Sequence, residues 1–257
     1  MDNSKEVLGV YSQNIKTNIG TGTTAQKSIH KTYHYVTRVG NIKYHVQPLN
    51  DHDIPSGIGT ILKEKKFIAE YSPELYYYQR KTLPALKSLK AKIDDGEKAF
   101  EKGNLDEAEH AFAGALLLDP ENPKANLGMG TVQCTKQNYD KLNEIIQRLL
   151  NMDAVFLEGQ RQEFNIFAIS LRKNKRYDEA VSFFSKALEI NNDDENLHFN
   201  IARVYFEIEK KDDALKHIEK ALEINPALES AILFKKYLLK KKKKKNPAPK
   251  NNPTKEP

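Results

Sequence analysis

The sequence predicts a mostly α-helical protein, an α-solenoid of helix hairpins, preceded by a small antiparallel β module. Three observations carry that reading. All strand-like alternation lies in residues 1–70, and residues 73–239 read as nearly continuous amphipathic helix. From residue 89 onward, small and apolar residues recur with a fixed period. The expected divisions are therefore a β-rich module over 1–70, a helical array over 73–239 and a disordered lysine-rich tail over 240–257.

The clearest strands lie between Lys31 and Leu49. Two alternating runs flank Gly40-Asn41, a pair suited to a two-residue hairpin turn with glycine at positive φ. Folding there pairs residues whose numbers sum to 81. Tyr33, Tyr35, Thr37 and Val39 then oppose Pro48, Val46, Tyr44 and Ile42 on an apolar face. His34, Val36 and Arg38 oppose Gln47, His45 and Lys43 on a largely polar one. A hairpin is too small to stand alone, so Val7–Tyr11 and Thr60–Leu62 are expected to add strands. Gly20–Thr24 and Asp51–Gly59 read as loops. Gly20-Thr21-Gly22 lacks the further glycine, lysine and following helix of a phosphate loop.

At Tyr71-Ser72-Pro73-Glu74 the texture changes to helix, since serine caps, proline suits the first turn and glutamate suits the positive dipole end. Beyond it, Gly96, Gly103, Ala108, Phe112, Ala115 and Pro120 mark a first unit. Gly130 falls 34 residues after Gly96, and Ala214, Ile218 and Ala221 fall 34 after Ala180, Phe184 and Ala187. Ala108 to Ala180 is 72 residues, two periods plus four, so a four-residue insertion near Leu157–Gln160 keeps the phase.

This pattern resembles the tetratricopeptide repeat (TPR), a helix–turn–helix unit of about 34 residues. The units are 89–122, 123–156, 161–194 and 195–228. The second is the weakest match: Leu142 replaces the small residue and Ala154 the proline. Gly96, Gly130, Ala168 and Ala202 let paired helices approach, while Phe112, Ile146, Phe184 and Ile218 fill the groove toward the next unit. Pro73–Arg80 and Pro84–Lys92 would cover one end of the array. Ala227–Leu239 would cover the other, with Leu228, Ile232, Leu233 and Tyr237 as its apolar side.

The resemblance implies a non-catalytic adaptor or scaffold that holds a protein partner, as an extended peptide or a helix, in the concave groove. Inward positions in the third and fourth units are Asn165, Ile169, Arg172, Asn196, Phe199, Arg203 and Phe206. Asparagines can bond a peptide main chain, arginines its carboxylates, and phenylalanines anchor apolar side chains. Chaperone-binding members grip a terminal carboxylate with an early lysine and asparagine. Here that stretch reads Ile93 and Glu97, which argues against such a clamp.

Charge and composition narrow the remaining classes. The net charge is +6, but residues 235–257 alone hold ten lysines and one glutamate, leaving −3 on the rest. A basic surface over the folded part is therefore not implied. Lys240–Lys245 supports an alternative: a nucleic-acid- or acidic-membrane-associated protein tethered by its tail, binding RNA, lipid headgroups or an acidic protein. Repulsion among these lysines predicts fraying from Lys240. One cysteine, no apparent secretory signal and no long apolar run point to a soluble, reducing, cytoplasmic setting.

No cofactor, metal or small-molecule substrate is expected. His30, His34, His45 and His52 cluster with Asp51 and Asp53, and His34 and His45 share a face in the register above. They read as half-exposed strand histidines before they read as metal ligands. Cys134 has no histidine in its unit to activate it. Tyr76-Tyr77-Tyr78 on a helix point in three directions, so at least one packs and one faces water; packing is favoured over a base-stacking platform.

Overall fold

The computed structural model describes residues 5–19, 26–40, 42–57 and 59–245. The expected Gly20–Thr24 loop and tail residues 246–257 lie outside them. The chain divides into two compact units, Met1–Val132 and Gln133–Pro257.

The first unit opens with a five-stranded antiparallel sheet in the order β4-β3-β2-β1-β5. Its strands are β1 (Lys5–Ile19), β2 (Gln26–Val39), β3 (Lys43–Pro48), β4 (Thr60–Lys63) and β5 (Ser72–Pro73), with helix α1 (Glu64–Glu70) between the last two. Both added strands are present, and β1 is longer than expected. The β2–β3 register differs from expectation by one residue: Val39 pairs with Lys43, Thr37 with His45 and Val36 with Val46. The connection is three residues long, with Gly40 at φ +64°, where a two-residue turn was expected.

A one-residue slip exchanges the faces of one strand relative to its partner. Val36, Tyr44 and Val46 now share a core with Leu62 and Phe67 of α1. Phe67 stacks on Tyr44 at 4.3 Å. The other face is not polar. Tyr77 stacks on Tyr33 at 4.0 Å, and Tyr78 lies tilted against Tyr35 at 6.4 Å. Tyr76 is exposed, so the tyrosine triplet divides between packing and surface. Gly9 carries a bulge in β1 at φ +99°, and a Cβ there would come within 3.3 Å of the Tyr78 ring.

The expected break before Pro84 does not occur. Helix α2 (Leu75–Tyr77) passes through a π-helical turn, Tyr78–Thr82, into α3 (Leu83–Glu101). The Leu83 N–H reaches back five residues to the Tyr78 carbonyl, and this wider turn accommodates a proline that has no N–H to give. Helix α4 (Leu105–Leu118) packs on α3, and α5 (Pro123–Thr135) follows. The Phe112 ring of α4 lies against Gly96 and Gly128, where a Cβ would stand 2.9 and 2.4 Å from it. Asn50, in the loop after β3, donates its side-chain amide to the Leu118 carbonyl at 2.9 Å. The Tyr77 hydroxyl donates to Asp53.

The second unit holds α6 (Tyr139–Leu150), two 3₁₀ turns (Asp153–Phe156 and Glu158–Gln160), α7 (Arg161–Lys173), α8 (Tyr177–Ile190), α9 (Glu195–Glu207), α10 (Lys211–Ile224) and α11 (Glu229–Lys245). The second 3₁₀ turn falls within the expected four-residue insertion, Leu157–Gln160, and the first lies just before it. Phe164 stacks on Phe183 at 5.0 Å, with Phe156, Phe167 and Phe184 around them. Asp194 caps α9 by accepting from the N–H groups of Asn196 and Leu197, and pairs with Arg161 at 2.7 Å.

Left-handed residues follow the same phase. Gly103 in the first unit and Gln137, Lys175 and Glu209 in the second have φ between +57° and +79°. The residue after each donates to a carbonyl five positions back, as in Asn104 to Ala99 and Lys210 to Tyr205.

Helix α11 covers the α9–α10 hairpin with a different side from the one expected. Ala231 and Leu238 are buried with Ala202, Ala214, Ile218 and Ala221, and Leu228 and Phe234 pack beside them. Leu233 and Tyr237 are 65% and 43% exposed. The helix also runs on to Lys245, so residues 240–245 are helical where fraying was expected. Lysine is a good helix former and suits the negative end of the dipole, which offsets repulsion of a few tenths of a kcal/mol per pair.

Candidate functional site

The seven inward residues divide between two helices of the second unit: Asn165, Ile169 and Arg172 on α7, and Asn196, Phe199, Arg203 and Phe206 on α9. Asn165, Ile169 and Asn196 are half-buried. Asn165 keeps a buried Oδ1 with no hydrogen-bond donor. Arg172 does not have the expected freedom. It is 8% exposed and its guanidinium pairs with Glu207 of α9. A partner carboxylate would have to displace that pair.

Phe199, Arg203 and Phe206 meet α11 across an open groove of about 450 Å³. Glu207, Ser230, Leu233 and Phe234 complete its lining. Phe234 stands edge-on to Phe206 at 5.4 Å and to Phe199 at 6.1 Å, and Tyr237 stands edge-on to Phe206 at 5.6 Å. Both phenylalanines of α9 therefore pack against the covering helix while still lining the groove.

The Arg203 guanidinium lies over the Phe199 ring, 5.8 Å from its centre. Burial, with the like charge of Arg172 beside it, holds the Arg203 group below the usual guanidinium range, and Glu207 partly offsets this. Sequence reasoning missed the α11 side of the groove. Its signal is the excess of apolar residues on that helix: Leu233 and Tyr237 exceed what is needed to cover α10.

The other candidates resolve on geometry. In the observed register His45 stands opposite Thr37, whereas His34 belongs to the alternate face with Val36 and Val46. The two histidines point away from each other across the sheet and cannot share a metal ion. Among the described residues there is no group of three or more His, Cys, Asp or Glu side chains placed to hold one. Cys134 is buried, and burial pushes its thiol up. Ile93 is buried and Glu97 pairs with Lys124 at 2.9 Å, so packing and an ion pair occupy the early positions where a carboxylate clamp would stand.

Two family models, both described as tetratricopeptide repeat, match residues 94–141 and 171–232. The chain contains tetratricopeptide repeats over these two stretches. The N-terminal sheet region has no family match. DnaJ homolog subfamily C member 7 of Homo sapiens is 29% identical over 107 residues, and its Mus musculus counterpart 27%. The match takes in 40% of this chain and spans about a fifth of the length of those relatives (21%). Among solved structures, Pseudomonas aeruginosa PilF is similar at 23% identity and TM-score 0.49, over 63% of this chain and 72% of that one. MamA is similar at 20% identity and TM-score 0.43, over 66% and 99%. Among the described residues no helix is long and apolar enough to cross a membrane.

Proposed function

We propose that the protein is a non-catalytic adaptor that receives a segment of a protein partner along the inward positions of α7 and α9, with α11 forming one wall. The observation that carries this is the groove of about 450 Å³, in which aromatic rings and the 65% exposed Leu233 stand beside one half-buried guanidinium. Apolar anchors at the centre of a polar-rimmed depression are the usual composition of a protein-binding hot spot. The repeat family supports an interaction role as well. Leu233 contributes little to the core beneath it, so Leu233→Asp leaves the fold standing while placing an unpaired charge in the groove. The expected outcome of affinity capture is loss of the partners held by the unaltered chain, with unchanged thermal unfolding. Retention of every partner by the folded variant ends this reading.

A further inference from the structure

The groove carries an imbalance of charge between α7 and α9. Two guanidiniums and one carboxylate meet beside it. Arg172 and Glu207 are bound to each other, and Glu207 forms no second ion pair with Arg203. Among the described residues no carboxylate pairs with Arg203, although its charge is half-buried between the Phe199 ring and the groove wall. A partly desolvated cation whose nearest carboxylate, Glu207, is already paired with Arg172 is costly, and any carboxylate that completes it gains from the same low dielectric.

Resting on the adaptor reading above, we infer that the occupant is a partner segment presenting one aspartate or glutamate side chain to Arg203 beside one large apolar side chain seated between Phe206, Leu233 and Phe234. The polar inventory fits one carboxylate and no more: one unpaired guanidinium, with the Ser230 hydroxyl as the remaining neutral donor on the lining. A chain terminus that also carried an acidic side chain would bring two negative groups to one cation. A basic segment would meet Arg203 and Arg172 with only Glu207 between them, so the groove also selects against it.

The test uses the full chain and a random 12-residue peptide library displayed on phage, with no partner assumed. The unaltered protein is expected to enrich peptides in which Asp or Glu accompanies Phe, Leu, Ile or Met. Arg203→Gln, which leaves a shorter, neutral polar side chain in place of the charge, should weaken the best peptide about tenfold, as expected for a partly buried charge-assisted pair. Arg203→Glu should shift enrichment toward Lys and Arg, and both variants are checked for unchanged thermal unfolding. Acidic enrichment that survives in Arg203→Glu, enrichment with no acidic preference, or no enrichment at all overturns the inference. Leu233→Asp separates the two proposals. Peptides lost in that variant but indifferent to Arg203 remove only the charge assignment, whereas peptides that bind Leu233→Asp undiminished remove the groove itself.

Discussion

At the scale of single residues, the second unit holds an unusual contact between α9 and α10. The Nδ1 atoms of His198 and His217 lie 3.1 Å apart, with the Tyr205 ring 5.5 Å from His217. Burial and then the neighbouring His198 push the His217 imidazole down to about 4, and burial lowers His198 as well. Lys220 and Lys216 face His217 and add to its depression, while Asp213 opposes it; Asp194 and Glu223 oppose the depression of His198. In the unfolded chain both rings take up protons near pH 6.5, before the folded state does. The unfolded state then binds more protons, so stability falls as pH drops through that point and the His217 share of the loss is complete near pH 4. Melting curves between pH 7 and 4 should show a smaller acid-induced decrease in Tm for His217→Gln than for the unaltered chain. An equal decrease in both rejects this account.

At the scale of elements, the joint between α3, α4 and α5 depends on two absent side chains. Phe112 is 2% exposed and its ring fills the space that Gly96 and Gly128 leave open. An added methyl at Gly128 would overlap the ring at 2.4 Å, against 2.9 Å at Gly96, and a buried ring has little room to retreat. Gly128→Ala is therefore expected to cost about 1–3 kcal/mol in denaturant unfolding, and more than Gly96→Ala. Adding Phe112→Leu should recover part of the Gly128→Ala loss.

These elements also show what sequence can and cannot convey. The repeat was legible because each hairpin takes the same number of residues, so Gly96 with Gly130 and Ala180 with Ala214, each 34 apart, announced the phase. The left-handed turns kept that phase but were hidden, since only Gly103 bears the residue type that advertises positive φ. The β2–β3 register was misread because both faces of the sheet are aromatic, so Tyr33 and Tyr35 fitted a core as well as Val36 did. Among the proposed site residues, spacing named the α9 phenylalanines and Arg203, which line the groove. The pairing of Arg172 was not, because its partner lies 35 residues away and no local pattern links them.

At the scale of the whole molecule, net charge and the proposed binding surface are carried by different parts of the chain. The net +6 reflects ten lysines after position 234, whereas the groove depends on one arginine of α9. Removing residues 240–257 deletes eight lysines and one glutamate and brings the net charge from +6 to −1. Under the adaptor reading, that deletion leaves partner capture intact at low and high salt. A tail-borne tether predicts the reverse, with capture abolished by the deletion and, in the full chain, collapsing as salt rises.

The Arg172–Glu207 pair has a mechanical side. It spans one step between successive hairpins, fastening the last turn of α7 to the end of α9. Any flexing that spread those two helices would have to pull a largely dehydrated ion pair apart, so this stretch of the array behaves as a braced panel. Under the adaptor reading, an incoming chain would meet a fixed mould there and would itself do the adjusting.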